Sequence, residues 1–331
     1  MPETNLLSFD ELCDRLEVAK NTLILFHRNP DADAVGSAFA LKRILEELGS
    51  SVYCLCQNEV PARLHFLMDD SQNSVLPDSL SEDFEIERII SVDSASPAQL
   101  GSLWELYGDR VDLMIDHHAA GEPYADAYID PEAAATGEIL FDIVKKLATE
   151  EKVTITYELC TDLYAAISSD TGCFRYSNVT PATHRTAAQL IALIPSHAEI
   201  DRLLFETKTP GRLAAEKAAL ELLSFASNGK IAVCSISLEQ ISAHGLASED
   251  LDALIDIARS VAGVEIAFSI REEASGSYRV SARSNSNVDV SSLCAYFGGG
   301  GHVKAAGCTV SADNLEAAKE IILRRAERLV S

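Results

Sequence analysis

The chain is 331 residues long, which favours two domains over one, and its 47% apolar content supplies real cores and excludes bulk disorder. No run approaches the roughly 18–20 consecutive apolar residues of a membrane span, and the start, MPETNLLSFDELCDRLEVAK, has acidic residues where a secretory signal has basic ones, so a cytoplasmic protein with no membrane partner is expected. A net charge of −24 argues against long nucleic acid as a target, because gripping it takes a basic track that displaces counterions.

In chain order, residues 22–26 (TLILF) form an apolar run too short for a helix and read as a strand buried on both faces. Residues 35–48 place Val35, Phe39, Leu41, Ile44, Leu45 and Leu48 near one helical face and stop at Gly49. The runs 51–56, 88–92 and 111–115 repeat the strand pattern, and helical patterns follow at 137–148 and 157–168. Strand and helix in alternation predict a parallel, doubly wound α/β domain. Residues 181–193 and 197–205 look helical with no strand between them, and the turn-forming 208–211 (KTPG) puts a linker at 195–212 between domains at 1–194 and 213–331. Strands at 230–236, 264–270 and 278–282, with helices at 248–261, 290–296 and 315–330, predict a second, smaller α/β domain. Basic and acidic residues balance from Ser260 onward, so the whole acidic excess lies before it. The eight cysteines are scattered without a C-x-x-C pair and read as reduced core thiols.

The informative pattern is positional. The strand at 22–26 leads into His27, Asp31 and Asp33; that at 88–92 leads into Asp93; that at 111–115 leads into Asp116-His117-His118; and a helix delivers Ser168-Ser169-Asp170. Each group alone has a plainer reading: Asp31 or Asp33 as a helix cap, Asp93 as a turn, the histidine pair as a solvated loop, Asp170 as a helix end. In an open parallel sheet, however, the carboxyl ends of the strands converge on one edge. So many carboxylates at one edge repel unless a cation joins them. Carboxylates and imidazoles without thiolate point to a hard or borderline divalent ion, with Mn²⁺ favoured and Mg²⁺ or Co²⁺ as options. Four aspartates and at least two histidines exceed the needs of one ion. They suit two ions about 3.5–4 Å apart that lower the pKa of a shared water and hold a phosphoryl group for in-line attack.

The ordered set His27-x-x-Pro30-Asp31-x-Asp33-x-x-Gly36-Ser37, Asp93, Asp116-His117-His118 and Asp170 resembles the motifs of the DHH phosphoesterase superfamily. That resemblance implies one ion on His27, Asp31 and Asp93, and a second on Asp33, Asp93, His117 and Asp170, with Asp93 bridging. It leaves Asp116 to orient an imidazole ligand and His118 to face the substrate phosphate as donor or general acid. Further on, Phe297-Gly298-Gly299-Gly300-Gly301-His302-Val303-Lys304 resembles the glycine-rich signature of the DHH-associated domain. Glycines let backbone N–H groups approach an anion, and His302 and Lys304 add donors; a structural turn packed against a helix is the competing reading. Arg283 and Ser284 end a strand where a guanidinium could grip a phosphate. Arg175 and Tyr176 follow Asp170 closely and offer a phosphate contact and a base stack, with Phe174 at least as well suited to packing.

Domain pair and length resemble stand-alone bacterial oligoribonucleases of nano-RNA type, which also dephosphorylate 3′-phosphoadenosine 5′-phosphate. The resemblance implies an active site in a cleft between the domains and, with the anchor at a fixed distance from the metals, very short single-stranded RNA or small nucleotides as substrates; a homodimer is compatible with it. A cyclic or linear dinucleotide phosphodiesterase, a manganese-dependent pyrophosphatase and a non-catalytic nucleotide sensor stay open as alternatives.

Overall fold

A computed structural model of the chain describes residues 4–69, 71–119, 121 and 123–330, without the side chains of Glu249 and His302. The chain divides into two compact units, Met1–Thr207 and Lys208–Ser331.

The first unit is built on a sheet of five parallel strands: β1 (Thr22–Leu25), β2 (Val52–Leu55), β3 (Arg88–Val92), β4 (Leu113–Asp116) and β5 (Asp126–Ile129), in the order β2-β1-β3-β4-β5. Every residue of β1 is buried because both sheet faces are covered, which is why the run is uniformly apolar. Ile24, Ile90 and Ile115 point to one face and pack with α1 (Phe9–Glu17), α2 (Ala32–Glu47) and the later helices. Leu23, Leu25 and Met114 point to the other, towards Leu100 of α3 (Pro97–Leu100) and Leu103 of α4 (Ser102–Tyr107). α5 (Thr136–Thr149), α6 (Tyr157–Asp170) and α7 (Pro181–Ile191) complete the layer on the first face. The sequence pattern did not expose β5, a four-residue edge strand.

Much of the stretch expected as a linker, 195–212, is ordered helix. α8 (His197–Asp201) continues into a wider turn over Arg202–Glu206 and belongs to the first unit. Ile200 enters its core, and Asp201 accepts hydrogen bonds from Tyr164 (2.9 Å) and Ser168 (2.8 Å) of α6. Turn-forming residues at 208–211 mark the start of the second unit, where α9 (Pro210–Leu222) begins.

That unit holds a six-stranded mixed sheet. Its strands are β6 (Leu223–Ala226), β7 (Ile231–Ile236), β8 (Ile266–Ala274), β9 (Ser277–Ser284), β10 (Gly300–His302) and β11 (Ala305–Ser311), ordered β10-β11-β9-β8-β7-β6. Only β7 and β8 run parallel. α9 and α11 (Ala253–Arg259, following α10 at Leu238–Ala243) cover one face; α12 (Val290–Ala295) and α13 (Leu315–Ala326) cover the other. The second half of the glycine-rich run is therefore strand. Gly300 and Gly301 pair with Gly307 and Ala306.

One glycine sets how closely the helices of the first unit approach. A Cβ on Gly36 of α2 would lie 2.5 Å from the Asp162 carbonyl oxygen of α6 and 3.3 Å from the Ala166 side chain. Gly36→Ala is expected to destabilise the fold by about 1–3 kcal/mol, the usual cost of overpacking. A urea-denaturation midpoint unchanged by the substitution would contradict this packing.

Candidate metal centre

Strand register decides what meets at the sheet edge. Leu25 lies opposite Leu55 and Ser91, and Val92 opposite Ile115, so β1, β3 and β4 end together. His27 follows β1, Asp93 follows β3 directly, and Asp116 is the last residue of β4. β1 and β3 also bracket the point at which the strand order reverses, where open α/β sheets place their ligands.

The local backbone aims each group. Asp93 adopts a left-handed conformation (φ 52°) and donates its N–H to the Ile115 carbonyl (3.0 Å). That is an uncommon backbone for a non-glycine residue, although aspartate tolerates it better than most. Asp31 caps α2, its Oδ1 accepting from the N–H groups of Asp33 and Ala34 (both 3.0 Å), while Oδ2 lies 3.6 Å from His27 Nε2. The cap reading and the ligand reading therefore use different oxygens of one carboxylate. Asp33 sits in the first turn of α2, fully buried, and Asp170 is the last residue of α6.

Among the described residues three sets of potential ligand atoms result, each within 4.8 Å: His27, Asp31 and Asp93; Asp33, His117 and Asp170; and Asp93, Asp116, His117 and His118, which links the other two. Asp93 faces the first two. Its Oδ2 is 3.5 Å from His27 Nε2 and its Oδ1 3.8 Å from His117 Nε2. His117 Nε2 also lies 3.2 Å from Asp170 Oδ2 and 3.9 Å from Asp33 Oδ2. This nitrogen is buried and makes no hydrogen bond. Oxygen and imidazole donors without thiolate, around such a nitrogen, fit hard or borderline divalent cations.

Charge crowding shows in the titration of the cluster. Burial raises the Asp33 carboxyl well above its usual range, and the charges of Asp93 and Asp170 add to this. Burial likewise raises Asp170. Asp93 goes the other way: burial opposes its charge, but the hydrogen bond and charge of His27, with His118 and His117, hold it low. Burial also disfavours a charged His117, yet its contact with Asp170 and the charges of Asp33 and Asp93 push it up to about 10.

The structure differs from the sequence reading over which imidazole Asp116 orients. Asp116 Oδ1 contacts His118 Nδ1 (2.6 Å) and accepts the backbone N–H groups of His117 (2.7 Å) and His118 (3.0 Å). The chain leaves β4 in a turn that folds the N–H groups of both histidines onto Asp116, and it is the His118 ring that this turn brings to the carboxylate. His117 is oriented by the Ala133 carbonyl, 3.3 Å from its Nδ1. A carbonyl only accepts, so Nδ1 carries a proton, and Nε2, protonated as well while its pKa stands at about 10, is the nitrogen that would lose its proton to take a cation.

Near Asp170, the Arg175 guanidinium lies over the Phe205 ring (5.9 Å), and Tyr176 is exposed beside Gly172. Phe174 is a packing residue, stacked on His184 (5.6 Å) and tilted against Tyr164 (6.0 Å). In the second unit, Arg283 and Ser284 end β9, and the Ser284 N–H donates to the Lys304 carbonyl (2.9 Å), which brings these three residues together. The glycines divide by role. The N–H groups of Gly298 and Gly299 bond to the carbonyls of Ala295 and Cys294 at the end of α12, so they are not offered to an anion. A Cβ on Gly299 would strike the Gly307 carbonyl oxygen (2.1 Å), and one on Gly301 (φ +140°) the Ala305 carbonyl oxygen (2.5 Å). Close strand packing demands these glycines, whereas Gly300 borders open space. His302 lies in β10, and its side chain is outside the described structure.

Two parts of the site escaped the sequence reading. A cavity of about 360 Å³ beside the cluster is lined by His27, Arg28, Asn29, Asp31, Asp93, Ala98, Gln99, His118 and Asp170. Arg28 and Asn29 occupy the variable positions of the first motif, a location that could have suggested them. Behind the cluster stands the segment 133–138, whose atoms reach Asp33, Asp93 and His117. Its residues carry no charge before Glu138, so nothing in their chemistry marked them.

Comparison with known proteins follows the same division. The DHH family, N-terminal domain, matches residues 21–167, and the DHHA1 domain matches residues 228–328. The chain is 30% identical over 305 residues to the bifunctional oligoribonuclease and PAP phosphatase NrnA of Thermus thermophilus, covering 91% of this chain and 87% of the relative. Among solved structures, an exopolyphosphatase-related protein from Bacteroides fragilis has the same fold, with a TM-score of 0.86 at 23% identity over 97% of this chain and 96% of that one. RecJ from Thermus thermophilus in complex with Mn²⁺ matches with a TM-score of 0.54 at 17% identity, over 99% of this chain and 55% of the longer RecJ chain.

A ligand that binds only the folded state stabilises it by mass action. Mn²⁺ at 100 times its dissociation constant is therefore expected to add about 2.7 kcal/mol per site to unfolding, and a chelator to reverse the gain. Identical melting curves with Mn²⁺ and with chelator would contradict the cation site.

Proposed function

Since the chain belongs to the DHH family and is a hydrolase of phosphate esters, we propose that it degrades RNA fragments a few nucleotides long and dephosphorylates 3′-phosphoadenosine 5′-phosphate, with two divalent ions, Mn²⁺ in the first instance, held by the cluster around Asp93. The observation that carries this reading is the placement of Asp93, whose two oxygens face separate ligand sets. On it, His27, Asp31 and Asp93 hold one ion, and Asp33, Asp93, His117 and Asp170 hold the other. When bound, such ions supply Lewis-acid activation of water and neutralise charge at phosphorus.

The chain's own groups supply orientation and protons. Asp116 fixes His118 through Nδ1, which turns Nε2 towards the cavity, where it can donate to a phosphate oxygen or the leaving oxygen. Arg28 on the same cavity wall offers a guanidinium to a non-bridging oxygen. Arg175 and Tyr176 are proposed to hold phosphate and base beyond it. In the second unit, Arg283, Ser284, Lys304, His302 and the backbone at Gly300 are proposed to anchor a second phosphate; Gly299 and Gly301, also expected there, are committed to packing against β11, and the Gly299 N–H to the end of α12. Long nucleic acid is disfavoured by the acidic charge of −24.

The direct assay follows mononucleotide and phosphate release in Mn²⁺ from a trinucleotide, 3′-phosphoadenosine 5′-phosphate, pyrophosphate, a cyclic dinucleotide and a long oligonucleotide. The first two are expected to turn over and the long oligonucleotide to be spared; preferential cleavage of pyrophosphate or the cyclic dinucleotide would overturn the substrate assignment. Asp93→Ala is expected to lower activity at least about a thousandfold, on the order of 4 kcal/mol of barrier, in a protein that remains folded. Substantial retained activity would remove Asp93 from the centre. Arg283→Ala is expected to weaken substrate binding while leaving Mn²⁺ affinity unchanged; titrations giving the reverse would refute the anchor.

A further inference from the structure

Ligands to a shared cation must be held apart from one another and turned to the same point, and the motifs themselves do not explain how this is done. The segment 133–138, between β5 and the first turn of α5, lies outside every motif and touches ligands delivered by three different elements. The Ala133 carbonyl holds His117 through Nδ1 (3.3 Å). The Thr136 N–H donates to Asp33 Oδ2 (2.8 Å), and the Gly137 N–H to Asp33 Oδ1 (3.0 Å). The Thr136 hydroxyl lies 3.1 Å from Asp93 Oδ1.

Counting lone pairs gives these contacts a direction. Asp33 Oδ1 also accepts from the Ser37 hydroxyl (2.9 Å), so both of its lone pairs are used. Oδ2 has accepted one bond and keeps one pair, on the atom that faces His117 Nε2. The N-terminus of α5 thus stabilises a fully buried carboxylate and leaves it a single free direction. Asp93 Oδ1 is constrained in the same way: with Thr136 on one side, its remaining pair faces the two imidazoles, 3.7 and 3.8 Å away. α5 comes this close because residue 137 is glycine. A Cβ there would lie 2.6 Å from the Ala166 side chain of α6.

We propose that Thr136 is a positioning residue of the metal centre, its hydroxyl fixing Asp93 and its N–H fixing Asp33 so that both carboxylates are set for cations before any arrive. This rests on the metal-centre reading above. The hydroxyl is the separable part of the device. Thr136→Val keeps the shape and removes it; Thr136→Ser keeps it and removes the methyl group.

Mn²⁺ affinity is measured calorimetrically on the full chain for the wild type and both variants, with melting temperatures in chelator recorded alongside. Thr136→Val is expected to bind Mn²⁺ about 10- to 100-fold more weakly, the usual effect of losing a group that orients a ligand, with a near-unchanged melting temperature. Thr136→Ser is expected to bind close to the wild type. Wild-type affinity in Thr136→Val would overturn the inference, and so would an equal loss in Thr136→Ser, which would make the methyl group and its packing responsible. Should Thr136→Val not fold, Thr136→Ser against Thr136→Ala decides, since both lack the methyl and only serine keeps the hydroxyl. A wild-type chain that binds no Mn²⁺ would overturn the metal-centre reading itself, an outcome distinct from a wild type that binds and a valine variant that binds equally well.

Discussion

Carboxylates that approach within a few ångströms in a buried setting repel one another, and the architecture of the first unit answers that repulsion. Asp33 and Asp93 are almost wholly shielded from water, with Asp31 and Asp170 close by. The compensating contacts come from groups fixed by secondary structure: the first amides of α2 and α5, the imidazoles that follow β1 and β4, the Ser37 hydroxyl of α2 and the Thr136 hydroxyl at the start of α5. Backbone dipoles and imidazole protons offset part of the charge, and a divalent cation offsets it more completely. The strained backbone of Asp93 fits the same account. Its left-handed turn sends one carboxylate towards both ligand sets and is tied to β4 through the Ile115 carbonyl.

How much of this was legible in the sequence depended on whether a residue's type or its partner set its role. The strand TLILF and its neighbours announced a parallel sheet because burial on both faces leaves only apolar side chains, and the polar residues after each strand then had to share an edge. Histidine and aspartate at those positions carry their chemistry in their identity. Thr136 and the Ala133 carbonyl do not, since their roles come from where α5 begins relative to β1 and β3. Asp116 shows the intermediate case. Its importance was readable, but its partner was expected to be an imidazole ligand and is His118, a pairing set by the turn after β4 in which Asp116 also accepts the N–H groups of His117 and His118.

The second unit was read less well, for a physical reason. Glycine repeats signal close backbone approach without saying to what. Here Gly299 and Gly301 admit the strand β11, and the amides of Gly298 and Gly299 close the end of α12, so the approaching partner is the protein's own backbone. Gly300, like Gly298, faces open space, and two residues further along β10 the hairpin is level with the end of β9 that carries Arg283 and Ser284, whose N–H bonds to the Lys304 carbonyl. A hairpin braced in this way presents a fixed surface, which suits an anchor better than a mobile loop would.

The proposed centre is a pair of cations joined by one carboxylate, that of Asp93. Anomalous diffraction from crystals of the full chain grown with Mn²⁺ tests it most directly. The prediction is two peaks, one against His27 and Asp31 and one against Asp33, His117 and Asp170, with Asp93 contacting both. A single peak, or peaks away from Asp93, would contradict it.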